Sequence, residues 1–169
     1  LTRNALLGQF EYNGIDPDRL ILSSYSPYAE MLKQYGDVDI ALDCFPATGG
    51  STLSEAMWQC VPAVTLTGDR WISRIGTSML NRMGFPQWAA KSPEEFIEIA
   101  VGLANDRDSL CRFRKELRTL IASSAYANPE LSAREMGNAY REMWRRWCSQ
   151  TVGQTDQSVS TSATSIGSA

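Results

Sequence analysis

Gly49-Gly50-Ser51-Thr52, with Glu55 four residues beyond Ser51, is the stretch of this 169-residue chain best suited by type and spacing to hold a ligand. It follows the run Val38-Asp39-Ile40-Ala41-Leu42-Asp43, which reads as a strand. It opens a segment with Leu53, Ala56, Met57 and Cys60 at helical spacing, expected as a helix over 51–60. Glycines let a backbone come close to a ligand and adopt positive φ. A helix start offers unpaired N–H donors and about half a positive charge, which suits an anion such as a phosphate. Ser51 and Thr52 add hydroxyl donors. Glu55 lies about 6 Å further along the axis, where a carboxylate can accept bonds from ribose hydroxyls. This pattern suits a nucleoside diphosphate lying across the helix start. The same residues also fit a plain Gly-rich turn with Ser51 as N-cap and Glu55 in solvent. No Lys follows the glycines and G-x-G-x-x-G is absent, so neither a Walker A loop nor a dinucleotide fingerprint is met.

The elements that must position this turn alternate in period. Arg19-Leu20-Ile21-Leu22-Ser23, Val38 to Asp43, Ala63 to Thr67 and Gln87 to Lys91 read as strands. Between them lie helical patterns: one after Pro27 with Ser26 as N-cap, one over 51–60, and one with Ile72, Ile75, Met79 and Met83 that Gly84 stops. Beyond residue 91 the pattern is all helix. Ser92-Pro93-Glu94-Glu95 is a capping box before Phe96, Ile99, Ala100 and Leu103. A second helix carries Leu110, Phe113, Leu117, Leu120 and Ile121. Asn128-Pro129 opens a third, with a stripe of Met136, Tyr140, Met143, Trp144 and Trp147 that reads as a packing face. Strands alternating with helices predict an α/β class: a Rossmann-like parallel sheet with flanking helices, which binds ligands beyond the carboxyl ends of its strands.

Composition narrows the chemistry. The 16 Lys and Arg against 19 Asp and Glu give a formal charge of −3, without the basic excess of a nucleic-acid binder. His is absent, which excludes Ser-His-Asp and Cys-His pairs within this chain. Cys44, Cys60, Cys111 and Cys148 form no C-x-x-C pair and are expected as reduced, mostly buried thiols in a cytosol-like compartment. Asp37, Asp39 and Asp43 alternate along one run, for which a capping or edge role is expected rather than a metal. Arg74 reads as a structural partner of Asp69, with a diphosphate contact as the alternative. Arg141, Arg145 and Arg146 read as a basic helix end that complements the dipole. Thr151 to Ala169 holds nine Ser or Thr and no aromatic residue, so a disordered tail over 151–169 is expected after a domain over 1–150. The start at Leu1, without Met, predicts a fragment, a processed product or an incomplete gene model. Neither a signal peptide nor a membrane span is present in the sequence, so a cytoplasmic location is expected.

Taken as an ordered set, Asp37 to Asp43, Phe45-Pro46, Gly49-Gly50-Ser51-Thr52, Glu55-Ala56, Trp58, Val61-Pro62, Val64-Thr65-Leu66, Gly68-Asp69-Arg70, Ser73-Arg74 and Gly76 closely resemble the C-terminal catalytic half of O-GlcNAc transferases, especially the bacterial and SPINDLY-like branch. Asp16-Pro17-Asp18-Arg19 and Ser26-Pro27 match as well, and the likeness covers roughly residues 5–148. The resemblance implies the C-terminal, donor-binding domain of a GT-B glycosyltransferase. It implies transfer of N-acetylglucosamine, or in some relatives fucose, from a nucleotide donor such as UDP-GlcNAc to Ser or Thr of proteins, with inversion. It places Gly49, Gly50, Ser51 and Thr52 at the donor diphosphate, Glu55 at the ribose, and Ser26, Pro27, Tyr28, Met31 and Gln34 near the base. It departs from the animal members at Gly50 and Met31, where they carry His, at Tyr28, where they carry Lys, and at Gln34, where they carry Arg. No cofactor or metal is implied, and no general base is assigned. The implied partners are the nucleotide sugar, a protein acceptor, an upstream N-terminal catalytic half with a diphosphate-binding Lys, and tetratricopeptide repeats, but neither nucleic acid nor membrane. On this reading the chain by itself is an incomplete catalytic unit. A non-catalytic nucleotide-sugar-binding or scaffold domain, and a GT-B transferase with another acceptor, fit the same residues.

Overall fold

The computed structural model describes residues 2–162, which fall into two compact units, one ending at Asp37 and one starting at Val38. In the first, helix α1 (Arg3–Tyr12) is capped by Thr2, whose Oγ1 accepts from Ala5 N at 3.4 Å. A 3-10 turn at Pro17–Arg19 follows, capped by Asp16, whose Oδ1 accepts from Asp18 N at 3.0 Å. Residues 19–23 do not form the expected strand. Leu20 has extended dihedrals, but this segment joins no ladder, and Ile21 is 94 % exposed. An apolar run becomes a strand only when another strand supplies its hydrogen bonds. Helix α2 (Tyr28–Gln34) starts one residue later than expected. Pro27, not Ser26, is its N-cap, because the Pro27 backbone is still extended at ψ 150°.

The second unit is a three-stranded parallel sheet in the order β1-β2-β3, with β1 (Ala41–Leu42), β2 (Ala63–Leu66) and β3 (Ala89–Ala90). Ala41 pairs with Ala63, and Thr65 with Ala89. Bonds from Ala41 N to Pro62 O and from Asp43 N to Val64 O carry the β1 edge as far as residue 43. The expected strand over 38–43 is thus shorter, and Asp37 and Asp39 lie off the sheet. Asp39 instead sits 3.7 Å from the Arg114 guanidinium, which also donates to Val38 O. Central β2 is buried at Ala63, Val64 and Thr65 on successive faces, as a parallel strand covered on both sides must be.

Helices α3 (Ser51–Trp58), α4 (Ile75–Met83), α5 (Pro93–Asn105) and α6 (Arg107–Ala122) cover it. α4 and α5 pack on β2 and β3, while α3 packs on β2 and α6. Leu53, Met57, Val64, Leu80, Met83, Phe85, Trp88, Leu103, Leu117 and Ile121 form one core. α4 stops where expected: Gly84 is left-handed at φ 91°, and Phe85 N bonds to Leu80 O. α3 stops the same way two residues early, with Cys60 in the left-handed position at φ 65° and Val61 N bonding to Ala56 O. The capping box of α5 forms in modified shape. Ser92 Oγ accepts from Glu95 N, but Glu95 Oε2 accepts from Lys91 N rather than from Ser92 N.

Asp106 caps α6, its Oδ1 accepting from Ser109 N at 3.0 Å. Bonds from the Ser109 hydroxyl and then its N–H hold the carboxyl below its ordinary range. A carboxylate with a depressed folded pKa adds stability in full above its unfolded value, about 3.9, and loses it as pH falls through the folded value. Asp106→Ala is therefore expected to lower the melting midpoint at neutral pH, and the gap to the parent should narrow once pH falls below both values. Melting curves collected across that range check this.

Helix α7 (Pro129–Ser162) is opened by Asn128, whose Oδ1 accepts from Leu131 N at 2.8 Å. Arg82 ties it to α4 through Glu135 at 2.7 Å and Ser132 at 3.1 Å. Two expectations change here. The helix does not end near residue 148, so Arg141, Arg145 and Arg146 lie within it, away from the last turn where the dipole acts. Arg146 pairs with Glu142 at 2.9 Å, and Arg141 donates to Asn138. The stripe of Met136, Tyr140, Met143, Trp144 and Trp147 is more than half exposed in this chain, with Trp144 and Trp147 stacked on each other at 5.2 Å. The expected boundary at 150–151 is not marked by a break in α7, and residues 163–169 lie outside the described residues. The thiols are not mostly buried either. Cys44 and Cys111 are exposed, Cys60 and Cys148 are half-buried, and all four are free. Cys44 follows the end of β1 and Cys111 lies in α6, and neither belongs to the core. Among the described residues no helix is long and apolar enough to cross a membrane.

Candidate functional site

Residues 43–52 lead from the carboxyl end of β1 into α3. Gly50 is the N-cap of α3 and supplies no side-chain bond, so Ser51 is the first helical residue rather than the cap. Ser51 and Thr52 are exposed, while Gly49, Gly50 and Glu55 are half-buried. Glu55 sits one turn into the helix, as its spacing predicts, but is not a fully solvated side chain.

Asp43 holds the loop from behind. Its Oδ1 accepts from Cys44 N at 2.9 Å and from Gly49 N at 2.7 Å, and its Oδ2 accepts from Thr65 Oγ1 at 2.7 Å. Buried Thr48 makes the second anchor. Its hydroxyl donates to Ile72 O at 2.9 Å and accepts from Gly76 N at 3.1 Å. The residues after β2 close on the same place. Gly68 N bonds to Ser73 O, and a Cβ at Gly68 would lie 2.4 Å from Ser73 Oγ and 3.1 Å from the Phe45 ring. Arg74 Nε donates to Gly68 O at 2.9 Å. Among the described residues no ion pair joins Arg74 to Asp69, so the expected pairing is replaced by a main-chain bond that braces the turn.

Of the residues placed near the base by resemblance, Ser26, Tyr28, Met31 and Gln34 line one cavity of about 520 Å³ in the first unit, with Ser23, Ser24 and Tyr25. Gln34 Nε2 donates to Ser26 Oγ at 3.5 Å, and Pro27 takes the capping position instead. Ser26, Tyr28, Met31 and Gln34 are thus brought together with one another, and Gly49 to Glu55 are brought together on β1 and α3 of the second unit. Beyond the resemblance, sequence reading gives Asp43 a capping or edge role and gives Thr48 and Gly76 none. An Asp at a strand end six residues before a glycine was the available signal for the first. Nothing local marks Thr48 and Gly76, whose partners are 24 to 28 residues apart. Among the described residues no group of three or more His, Cys, Asp or Glu is placed to hold a metal ion.

A parallel sheet whose first strand runs through a braced glycine turn into a helix start defines an α/β domain of the Rossmann-like class. Residues 3–136 match the family described as Glycosyl transferase family 41, and the chain belongs to that family. Among curated proteins it is 33 % identical over 155 residues to the probable UDP-N-acetylglucosamine–peptide N-acetylglucosaminyltransferase SPINDLY of Petunia hybrida, covering 89 % of this chain and 16 % of the relative. It is 29 % identical over 134 residues to the UDP-N-acetylglucosamine–peptide N-acetylglucosaminyltransferase of Caenorhabditis elegans, covering 79 % of this chain and 12 % of the relative. A solved mutant of the O-GlcNAc transferase of Thermobaculum terrenum matches with a TM-score of 0.76 at 36 % identity, covering 88 % of this chain and 28 % of that one. The chain therefore spans only about a sixth of the length of the SPINDLY relatives it matches. Its fold is that of a glycosyltransferase domain of the GT-B type.

Proposed function

We propose that this chain is the donor-binding part of a protein O-glycosyltransferase that moves N-acetylglucosamine from UDP-GlcNAc to Ser or Thr with inversion. The observation that carries the reading is the start of α3, where Gly50 gives no side-chain cap and Asp43 and Thr48 brace the loop that feeds it. Donors held in place before the reaction stabilise charge that develops on a leaving diphosphate, because no reorganisation is needed as it forms. Gly49, Gly50, Ser51 and Thr52 take the diphosphate and Glu55 the ribose. UDP-GlcNAc is a substrate in this reading, and no resident metal or cofactor takes part. In this reading the acceptor is a separate protein, and the diphosphate-binding Lys belongs to an upstream N-terminal catalytic half.

The test is sugar transfer by the full-length protein. Incubation with UDP-GlcNAc and protein acceptors is expected to give sugar on Ser or Thr, at a rate that a metal chelator leaves unchanged. UDP binding without any transfer would favour a scaffold domain. Absence of both UDP binding and transfer would overturn the reading.

A further inference from the structure

We infer that Asp43 is a positioning residue for donor binding: a hydrogen-bonded clamp that sets the backbone of Gly49 and, through it, the start of α3. The inference rests on the donor reading above.

Asp43 lies where β1 ends, with its own N–H still bonded to Val64 O, so its main chain is fixed by the sheet. Its two oxygens then point to different parts of the fold. Oδ2 accepts from Thr65 Oγ1, which is fully buried on central β2. Oδ1 accepts from Cys44 N and Gly49 N, closing the loop over six residues at its far end. One carboxylate therefore links the buried strand to the last turn before the helix. Both glycines beside it are required by this geometry. A Cβ at Gly49 would lie 3.0 Å from Oδ1 and 2.5 Å from Thr52 Oγ1, and one at Gly76 would lie 2.8 Å from Oδ2 and 2.6 Å from Thr65 Oγ1. Side chains cannot be added there without moving the carboxylate. A free carboxylate next to a diphosphate would repel it. Here both oxygens are turned onto N–H and O–H donors of the scaffold, so Asp43 orients the loop rather than touching the ligand.

The experiment uses the full-length protein, with UDP and inorganic pyrophosphate as probes in calorimetry. Asp43→Ala removes all three acceptor contacts and is expected to weaken UDP and pyrophosphate alike by about tenfold or more. It should raise the KM for the donor while leaving the KM for the acceptor in place. Asp43→Asn keeps an oxygen for Gly49 N and Cys44 N, and the Thr65 hydroxyl can rotate to accept from its amide. It is expected to recover most of the lost affinity, and to restore slow amide exchange at Gly49 that Asp43→Ala makes fast.

Folded Asp43→Ala with parental UDP affinity would overturn the clamp, as would Asp43→Asn no better than Asp43→Ala. If Asp43→Ala does not fold, Thr65→Val, which keeps the volume but removes the donor to Oδ2, must weaken UDP binding, and parental affinity there overturns the clamp too. Ser51→Ala with Thr52→Val separates the two ideas. If it weakens UDP and the Asp43 variants do not, only the clamp falls. If it leaves UDP binding unchanged, the donor reading of this loop falls and the clamp with it.

Discussion

Trp88→Ala is expected to cost the second unit about 3–5 kcal/mol of unfolding free energy, the range for large aromatics removed from a core. Trp88 is 3 % exposed. Its ring stacks on Phe85 at 4.5 Å with the planes 8° apart, and meets Phe113 edge-on at 5.0 Å. Alanine would leave a void beneath both rings, lined by side chains held from α6 and from the turn after α4. Trp58 gives the contrast. It is 45 % exposed, with the Arg118 guanidinium 5.8 Å from its ring centre. Trp58→Ala should lose about 1 kcal/mol or less, since an exposed cation–π contact contributes only about 0.5–1 kcal/mol. Urea unfolding of both variants with the parent, fitted with a shared slope, measures the difference. Losing under about 1 kcal/mol at Trp88 would show that the aromatic trio does not support the core.

Glu55→Ala in the full-length protein is expected to weaken UDP binding by about tenfold or more. Each charge-assisted bond to a ribose hydroxyl contributes on the order of 1.5–3 kcal/mol, and about 1.4 kcal/mol is a factor of ten. Ser51→Ala with Thr52→Val should weaken UDP as well, by less, because the backbone donors of the first turn of α3 remain. Pyrophosphate separates the two lesions. It has no ribose, so its affinity should fall with the hydroxyl changes and hold level or rise in Glu55→Ala, which removes a carboxylate near an anion site. The reason is position: Ser51 and Thr52 stand at the positive end of α3 and Glu55 one turn further in. Calorimetry with both ligands decides. Parental UDP affinity in Glu55→Ala would return that side chain to a structural role.

The parts of the fold legible in the sequence are those whose cause is local. Ser92-Pro93, Asn128-Pro129 and Gly84 mark α5, α7 and the end of α4 because a cap bond or a left-handed turn joins residues within about five positions. The strand-to-helix turn at Gly49 to Thr52 was readable for the same reason, and so was the helical phase that puts Glu55 one turn past Ser51. Leu20 to Leu22 shows where this stops. Its residues have strand character, yet they form no strand, because a ladder needs a partner that no local pattern names. Cys60 shows it again: the apolar spacing of α3 runs on to residue 60, but a left-handed turn ends the helix at Trp58.

The sequence by itself determined the α/β class, the order of the helices from α2 onward and the glycine turn with its hydroxyls, since these are carried by residue types at short or fixed spacing. Helix α1 was not read from it, and the family entered as a resemblance over an ordered set of motifs. Only the tertiary structure decided what holds that turn. Asp43 meets Thr65 across 22 positions, Thr48 meets Gly76 across 28, and Arg82 meets Glu135 across 53. It also decided that the aromatic stripe of α7 stays exposed in this chain and that no cysteine is buried. The physical reason is the same in each case. Periodicity states which face of an element is apolar, but burial and hydrogen-bond partners depend on what else the chain brings alongside, and distant residues meet only when the whole unit has folded.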